Sequence, residues 1–407
     1  MQGRMAPRHA KRKAVGRVDT LAHAAVGLEA EFTLAVDDTP TPPETLFDDP
    51  RGFISGPLMH RVGTSYHLPT GAAVYFDTGV IEIATPAIEL ERGCMARAGR
   101  SLWESIAIVR GALDRWQHAT GRRARLVGFS THYNMSLAAS ERGTVTATRL
   151  DRLARALTYV LPAPVMVLAT NQRSTGVGVR PRPNRIEVTV DFTPDPALMI
   201  ATGAFIVGVL REMLAWPGWG ARVIERRVPV IRGFAPMRHT SRRGWLARFD
   251  CYASNPFACD IDAPLWTTTH GRLSLRAIGE QVFERFRRPI ARVADPFSLR
   301  LIASILGRGG PSLLSLADRP DAYEDVGRRT VWSAQSTTPE LARSRYERAL
   351  MSAVSGRSLR LFGALCTPVR VRGWSSVVFR RDVDGAELVM PIDSLIDRLD
   401  EWEQDDR

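Results

Sequence analysis

Residues 71–86 read GAAVYFDTGVIEIATP, and this stretch decides the fold that the sequence predicts. Its two β-rich runs, Ala73–Phe76 and Val80–Ala84, flank a tight turn, so we expect a strand, a turn and a second strand. The hairpin carries two carboxylates, Asp77 near its tip and Glu82 on the second strand. Glu82 stands among apolar residues, where a carboxylate without a cation or hydrogen bonds is costly. Taken alone, the segment also fits an ordinary edge hairpin whose acids face water.

Composition predicts a soluble globular protein. The 407 residues are 44% hydrophobic and 24% charged, enough for one large domain with an appendage or for two domains. The longest apolar run, Ala197–Leu210, is too short to span a bilayer and predicts a buried helix. We expect a basic flexible arm over 1–20, a catalytic domain over 21–330 and a small C-terminal domain over 331–407. The arm lacks the apolar core of a signal peptide, which favours the cytoplasm and no membrane partner.

The net charge indicates which kinds of partner the protein binds, and the cysteines indicate whether it has a zinc site or disulfides. The formal net charge is +12 and nearly all the cations are arginines, which favours an acidic protein, a nucleotide or a nucleic acid as partner. Arginine-favouring codons in a GC-rich genome would give the same bias. The four cysteines form no CxxC pair, so they indicate reduced thiols rather than a zinc site or a disulfide framework.

Three further segments carry polar side chains on predicted strands. Glu29 and Glu31 alternate with apolar residues, which places both carboxylates on one strand face about 7 Å apart. His132 lies in the strand-like run 127–137, and an arginine-dense loop leads into the alternating strand Arg185–Asp191. Each feature has a plain alternative: a solvent-facing edge strand, a packed core histidine and a solvated basic loop.

Together these strands predict one concave sheet with an acidic site. Oxygen ligands with a single imidazole suit Mg²⁺ or Mn²⁺ better than Zn²⁺, and four carboxylates would hold two or more divalent ions. Arginines from the 173–185 loop would then face an anionic ligand, as phosphoryl transfer requires. The predicted metal ligands are Glu29, Glu31, Glu82, His132 and Glu187, and the arginines are Arg173, Arg180, Arg182 and Arg185.

The order of these motifs resembles a known superfamily. Gly-Leu-Glu-Ala-Glu (27–31), the hairpin ending Glu-Ile-Ala-Thr-Pro (82–86), Thr-His-Tyr-Asn (131–134) and Arg-Ile-Glu (185–187) are similar to motifs of the carboxylate–amine ligases. That superfamily includes glutamine synthetase, glutamate–cysteine ligase and the Pup ligase/depupylase (Pup deamidase) family, and the resemblance is strongest to the last. The helix after Asp191 and the segment Thr337–Arg348 extend it.

The resemblance implies an α+β fold: a glutamine-synthetase-like curved, mostly antiparallel sheet backed by helices, with a small C-terminal domain. It implies ATP and Mg²⁺ as cofactors, an acidic Pup-like protein as carboxylate donor and lysine-bearing proteins as acceptors, with a possible proteasome connection. Asp77 would be the catalytic base towards the amine, and the five metal ligands named above would keep that role. Nucleotide contacts would come from Arg185, Arg173 and Tyr75.

Because the sequence departs from the family pattern at several positions, three hypotheses about its enzymatic function remain open. Glu187 stands where the Pup enzymes carry histidine, and Tyr133 replaces a glutamate, as in glutamate–cysteine ligase. Glu31 and Asp77 are 46 positions apart (77 minus 31), too few for the long loop of the depupylases, which favours a ligase. The alternatives are a depupylase/deamidase-like amidohydrolase and a small-molecule γ-glutamyl ligase. A nucleic-acid binder is disfavoured because no stacking or recognition-helix motif is present. An inactive relative is disfavoured because the full acidic set is retained in order, and unused clustered carboxylates repel one another.

Overall fold

The computed structural model describes residues 21–138, 145–239, 243–328 and 342–404. The predicted basic arm over 1–20 lies outside the described residues, and so does most of the 331–344 stretch of the C-terminal region, including Thr337-Thr338-Pro339. All structural statements below refer to the described ranges.

The strands of the described chain form three sheets. In chain order they are β1 (Ala25–Val36), β2 (Thr39–Pro40), β3 (Met59–Val62), β4 (Ser65–His67), β5 (Ala73–Asp77), β6 (Val80–Ala84), β7 (Ile88–Glu89), β8 (Ala124–Ser136), β9 (Gly176–Arg182), β10 (Arg185–Asp191), β11 (Met237–Arg238), β12 (Trp245–Arg248), β13 (Trp266–Thr268), β14 (Gly271–Leu273), β15 (Leu359–Leu361), β16 (Ala364–Arg372), β17 (Ser376–Arg381) and β18 (Glu387–Pro391).

Helices cover one side of the main sheet and complete the C-terminal region. They are α1 (Cys94–Thr120), α2 (Ala147–Leu157), α3 (Pro162–Ala169), α4 (Pro196–Leu214), α5 (Ala221–Glu225), α6 (Leu275–Val293), α7 (Pro296–Gly307), α8 (Arg345–Val354), α9 (Ile392–Ile396) and α10 (Leu399–Gln404). The acidic C-terminal segment forms the two short helices α9 and α10.

The main sheet confirms the predicted fold class. Its strand order is β11-β12-β9-β10-β8-β1-β6-β5-β4-β3, with β2 and β7 paired onto β1, and every pairing is antiparallel. The described chain is therefore an α+β protein with a large antiparallel sheet, and the strands predicted to carry functional side chains are neighbours at its centre.

The predicted hairpin forms, but it is not at the edge of the sheet. β5 and β6 are joined by Thr78 and Gly79, which both have positive φ angles (54° and 90°), as the central residues of a tight type I′ turn do. The other edge of β6 pairs with β1, so β6 is an interior strand, and the Glu82 side chain on its face is only 4% exposed.

The back of the sheet forms the core. Leu28, Ala30 and Phe32 of β1 are fully buried, and α1 and α4 belong to the same hydrophobic cluster. α4 approaches closely at Gly203, where an added Cβ would lie 2.3 Å from Met95 Cε and 3.1 Å from Tyr133 Cδ1. By length and composition α4 could cross a membrane, but 72% of its apolar window is buried within the protein. It is the buried helix expected from the apolar run.

A second hydrophobic cluster holds the C-terminal region. Strands β15 to β18 form a four-stranded sheet, and α8, α9 and α10 pack with it around Tyr346, Phe379 and Trp402. Residues of β1 and of the chain just before it, Leu21 and Ala25, join this cluster. The boundary at 331 for a separate C-terminal domain stays a prediction.

A buried ion pair ties the C-terminal region to α1. Arg100 Nη2 on α1 lies 2.8 and 2.6 Å from the two carboxylate oxygens of Glu347 on α8, whose side chain is fully buried. Glu347 also closes a capping box with Ser344 at the start of α8. One carboxylate thus anchors a helix and neutralises a guanidinium at the same place.

Replacing Glu347 by Gln is expected to lower the free energy of unfolding by about 2–3 kcal/mol, because it removes the two-oxygen partner of the buried Arg100 and leaves only the ion pair with Glu104 at 3.1 Å. Urea unfolding measures the loss. Glu387→Gln is the matched control: its pair with Arg370 is exposed, so we expect a change of at most about 1 kcal/mol. Equal effects of the two variants would contradict an anchoring role for Glu347.

His67 on β4 is expected to make stability fall in acid. It is fully buried, its Nδ1–H donates to the Gly71 carbonyl oxygen at 2.9 Å, and burial together with the charge of Arg61 lowers its pKa to about 3. In the unfolded chain the imidazole binds a proton below about pH 6.5. Burial of the neutral imidazole therefore has no cost in stability above pH 6.5. Below that pH the free energy of unfolding falls, by about 1.4 kcal/mol per pH unit, until the pH reaches about 3.

Urea unfolding of wild type and His67→Gln between pH 7 and pH 5 tests this. The variant should show a flatter dependence on pH, whereas the exposed His60→Gln control should follow wild type. Parallel curves for all three proteins would contradict a buried neutral His67.

Candidate active site

Carboxylates from β1 and β6 meet on the face of the sheet opposite the helices. Strand register places Glu31 of β1 directly opposite Glu82 of β6, and Glu29 directly opposite His132 of β8. Alternation along β1 sends Glu29 and Glu31 to this face while the apolar residues between them enter the core. The two glutamates predicted to share a face do so.

Short hydrogen bonds link the cluster. His132 Nδ1 lies 3.2 Å from a carboxylate oxygen of Glu29, and the Ser130 hydroxyl donates to Glu31 Oε2 at 2.6 Å. Tyr75 on β5 donates its hydroxyl to Glu82 Oε1 at 2.5 Å. Tyrosine, serine and histidine side chains thus position three carboxylates that would otherwise repel one another.

The buried carboxylates of the cluster repel one another, and this shifts the pKa values of its members. Burial, followed by the negative charge of Glu29, raises the pKa of Glu82 to about 8. Burial also acts to raise the pKa of Glu29, but the hydrogen bond and charge of His132, with Arg185 and Asn134, hold it below its usual value. Burial lowers the pKa of His132, yet its hydrogen bond to Glu29 and the surrounding carboxylates leave it raised. The site therefore holds one carboxylate neutral near pH 7.

The donor set fits hard divalent cations. One oxygen or nitrogen from each of Glu29, Glu82 and His132 lies within 4.8 Å of the others, and so does one oxygen from each of Glu31, Asp77 and Glu82. These are the oxygen-rich surroundings that Mg²⁺ and Mn²⁺ prefer. The raised pKa of Glu82 is the mark of an uncompensated negative site that such a cation would relieve. The two groups share Glu82, as a bridging ligand of two ions would.

Asp77 lies at the end of β5, beside the cluster. It is half-buried, and its Oδ1 accepts a hydrogen bond from the Thr78 hydroxyl at 3.0 Å. Glu44 supports the same turn by accepting a hydrogen bond from the Gly79 N–H at 3.0 Å. The hairpin turn thus holds Asp77 at the rim of the site, next to Glu31 and Glu82.

Arginines occupy the opposite flank of the same sheet face. Strands β8, β10 and β9 follow β1 in order, and β10 and β9 carry Arg185, Arg182 and Arg180 on the face of His132. Arg185 Nε donates to Asn134 Oδ1 at 3.0 Å, and Arg180 Nη2 lies 3.4 Å from His132 Nε2. The site is therefore polarised, with carboxylates on one side of His132 and guanidinium groups on the other.

Glu187 lies among these arginines. It is 1% exposed; Arg182 Nε donates to its Oε2 at 2.8 Å, and Arg180 pairs with its Oε1. It is thus not within either of the two tight ligand groups formed by Glu29, Glu82 and His132 or by Glu31, Asp77 and Glu82. Its predicted role as a metal ligand stays a prediction; in the structure its carboxylate orients two guanidinium groups.

The three predicted nucleotide contacts lie in different places. Arg185 begins β10 beside a pocket that is also lined by Glu29, Asn134 and Trp374. Tyr75 lies within the acidic cluster. Arg173 is exposed in the loop whose Asn171 and Ser174 contact Asp191, at the other end of β10, about 20 Å from Arg185 by the rise of a strand. Arg180, Arg182 and Arg185, and not Arg173, interact with the residues of the cluster.

Several site residues were not assigned from the sequence. Ser130 is one, although its position two residues before His132 places it on the same strand face. Trp374 is another, and no local pattern could find it, because it comes from the turn between β16 and β17 in the C-terminal region. Tyr133, which departs from the family pattern, is buried on the helix side of β8 and leaves the acidic face unchanged.

Comparison with known proteins identifies the fold. No protein-family profile and no curated protein sequence matches the chain. Among solved structures, the chain is similar to the one described as the complex between Prokaryotic Ubiquitin-like Protein Pup and its ligase PafA. The two chains are 13% identical, the match covers 94% of this chain and 93% of that chain, and the TM-score is 0.50. The chain therefore has the fold of the Pup ligase PafA, which confirms at the level of the fold the resemblance that the sequence predicts.

Proposed function

We propose that the protein is an ATP- and Mg²⁺-dependent ligase that joins a carboxylate to an amine through an acyl-phosphate. The donor would be the C-terminal or γ-carboxylate of an acidic Pup-like protein, and the acceptor a lysine of a substrate protein, in the cytoplasm. One observation carries the proposal: the cluster of Glu29, Glu31, Glu82 and His132 faces Arg180, Arg182 and Arg185 across a single sheet face. Carboxylates that can bind divalent ions, next to arginines that can bind phosphate, are typical of sites for phosphoryl transfer.

Each flank of the site has a distinct task. Glu29, Glu31, Glu82 and His132 would hold Mg²⁺, which neutralises charge on the nucleotide phosphates when bound. The arginines would orient the γ-phosphate and stabilise the charge that develops as a donor carboxylate oxygen attacks it and ADP leaves. Guanidinium groups held in place by Glu187 lose little entropy on binding phosphate, so Glu187 contributes whether or not it also contacts a metal.

The second step uses the rim of the site. The lysine amine attacks the acyl carbon, the carbon–nitrogen bond forms, and inorganic phosphate leaves with the electrons of the acyl–oxygen bond. A lysine ammonium group has no lone pair, so it must lose a proton before it attacks, and we assign Asp77 at the hairpin tip as the base that accepts this proton. A carboxylate at the open rim reaches an incoming side chain without displacing the buried ligands.

We place part of the nucleotide in the pocket beside Arg185, whose free volume is about 110 Å³. Ala87 and Trp374 contribute apolar surface to it, while Glu29 and Arg185 connect it with the acidic cluster and the arginines. The net charge of +12 and the Pup complex of the structurally similar PafA support an acidic protein as donor.

The proposal is tested by measuring ADP release with Mg·ATP, an acidic Pup-like protein ending in Glu and a lysine-bearing acceptor, leaving out one component at a time. Partner-dependent ADP release together with a conjugate of the summed mass supports the ligase. Amide cleavage with ATP bound but not consumed would transfer the assignment to an amidohydrolase. ADP release driven by free amino acids without a protein partner would indicate a small-molecule γ-glutamyl ligase.

A further inference from the structure

A second charged pocket lies on the helix side of the main sheet. It is enclosed between α2 and the chain segment from Pro217 to Phe234, and its free volume is about 840 Å³. Pockets of this size are typical of small-molecule sites. The strand β9, on which α2 packs, carries Arg180 and Arg182 on its other face, so the pocket and the candidate active site share one strand.

One wall of the pocket is basic, and its arginines form no ion pairs within the described residues. Arg149, Arg152 and Arg155 line it from successive turns of α2, and Arg232 lines it from the opposite segment. Within the described ranges, none of these four guanidinium groups forms an ion pair, whereas nearby Arg238 and Arg248 pair with Asp151 and Asp250. Glu225 is the one acidic residue in the pocket lining. Arg149 is half-buried and the other three are exposed, so four positive charges against one give the pocket a positive potential that attracts anions.

Two of the guanidinium groups are held in place by tryptophan rings. Arg149 lies over Trp219 at 5.3 Å and Arg155 lies over Trp245 at 5.0 Å. Stacking fixes the plane of a guanidinium while leaving its N–H edge available, which suits bidentate binding of phosphate oxygens. The first turn of α2, with Thr146 and Thr148, also lines the pocket, so the positive end of the helix dipole adds to the same field.

The other wall is apolar. Ile224, Val230 and Ile231 line it, and Phe234 lies between Tyr159 and Tyr252, with ring centroids 5.4 and 4.6 Å away. Arg149 covers one face of Trp219 and Tyr252 covers one face of Phe234, which disfavours these rings as platforms for stacked bases of a single-stranded nucleic acid. The concave shape of the pocket favours a compact ligand over an extended acidic peptide. A basic wall facing an aliphatic wall suits a compact ligand with an anionic end and a less polar body.

We infer that this pocket binds an organic polyphosphate of nucleotide size, held by Arg149, Arg152, Arg155 and Arg232. It does so without a divalent cation, since arginines rather than carboxylates receive the phosphates. The site is separate from the one proposed for catalysis, which lies on the opposite face of the sheet.

Titration calorimetry with GTP and with inorganic triphosphate, both in EDTA, tests the inference. EDTA removes the divalent ions on which nucleotide binding at the acidic cluster would depend, so binding that persists and also depends on Arg152 and Arg232 belongs to the pocket beside α2. Arg152→Gln and Arg232→Gln should each weaken binding about tenfold, the loss of one charge-assisted contact. Arg372→Gln, an exposed arginine of the C-terminal sheet, is the matched control and should bind like wild type.

Hydrogen exchange locates the ligand. Bound GTP should slow exchange in residues 147–157 and 217–234 and leave β1 unchanged. No binding in EDTA, equal affinities for all variants, or protection of β1 instead would overturn the inference. Binding of only an oligoglutamate peptide, or only single-stranded RNA, with the same arginine dependence would also overturn it, in favour of a polymer-docking groove. None of these outcomes bears on ligase activity, which the ADP-release assay measures independently.

Discussion

Asp77→Asn is expected to abolish conjugate formation while leaving ATP binding at the wild-type level. The carboxylate lies at the rim of the acidic cluster, where it can accept a proton from the incoming amine, and an amide cannot. Removing a positioned general base typically costs 10²- to 10⁴-fold in rate, and we expect a loss in that range. Because Asn has nearly the same shape and Asp77 is only half-buried, the hairpin should keep its fold.

The measurement is single-turnover conjugation by mass spectrometry, with nucleotide affinity determined in parallel. Asp48→Asn, at an exposed aspartate that precedes the hairpin in the chain, is the control and should retain full activity. If Asp77→Asn formed conjugate at the wild-type rate, Asp77 would not be the base. If it lost both activity and nucleotide affinity, Asp77 would instead belong with the metal ligands.

Glu82→Gln is expected to stabilise the metal-free protein and to remove its response to metal. Burial and the charge of Glu29 raise the pKa of Glu82 from 4.5 to about 8, so folding at pH 7 has to take up a proton or bury a repelled charge. Below pH 4.5 the Glu82 carboxyl is protonated in both the folded and the unfolded state, and its burial has no cost of this kind. As the pH rises towards 8 the free energy of unfolding falls, by up to about 3 kcal/mol at pH 7. Gln mimics the neutral acid, can still accept the Tyr75 hydrogen bond and avoids that cost.

In wild type, Mg²⁺ or Mn²⁺ should raise the melting temperature, because a ligand that binds only the folded state stabilises it. Glu82→Gln should melt higher without metal, show no further rise with metal, and lose ATP-dependent activity. The surface variant Glu284→Gln should melt and respond like wild type. A lower melting temperature for metal-free Glu82→Gln, or an unchanged response to Mn²⁺, would contradict a strained metal ligand at this position.

Asp77 and Glu82 show that the same hairpin sequence fits two different positions in a sheet, at its edge or in its interior. Residues 71–86 alone favour an edge hairpin with solvated acids, and the structure excludes it because β6 pairs with β1 on one side and with β5 on the other, and Glu82 is buried. The predicted site residues Glu29, Glu31, Glu82 and His132 lie together, while Arg173 lies at the far end of β10 and Glu187 is paired with arginines. Their roles in metal and nucleotide binding stay predictions for the experiments above.

The sequence by itself determined the local features of this protein. Alternation along a strand depends only on neighbouring residues, so the shared face of Glu29 and Glu31, the strand Arg185–Asp191 and the turn at Thr78-Gly79 could all be predicted. The buried helix Pro196–Leu214 followed from composition in the same way. The order of the acidic motifs carries the resemblance to the carboxylate–amine ligases, and that resemblance implied the antiparallel sheet backed by helices.

Only the tertiary structure decided which side chains meet across strands and surfaces. Strand order and register depend on pairings between distant parts of the chain, and a shift by one residue would move every acid to the other face. Register therefore places Glu31 against Glu82, and the long connection to the C-terminal region brings Trp374 to the end of the site. The arginine pocket beside α2 arises likewise, because Arg232 reaches it from a segment whose sequence shows no pattern of its own.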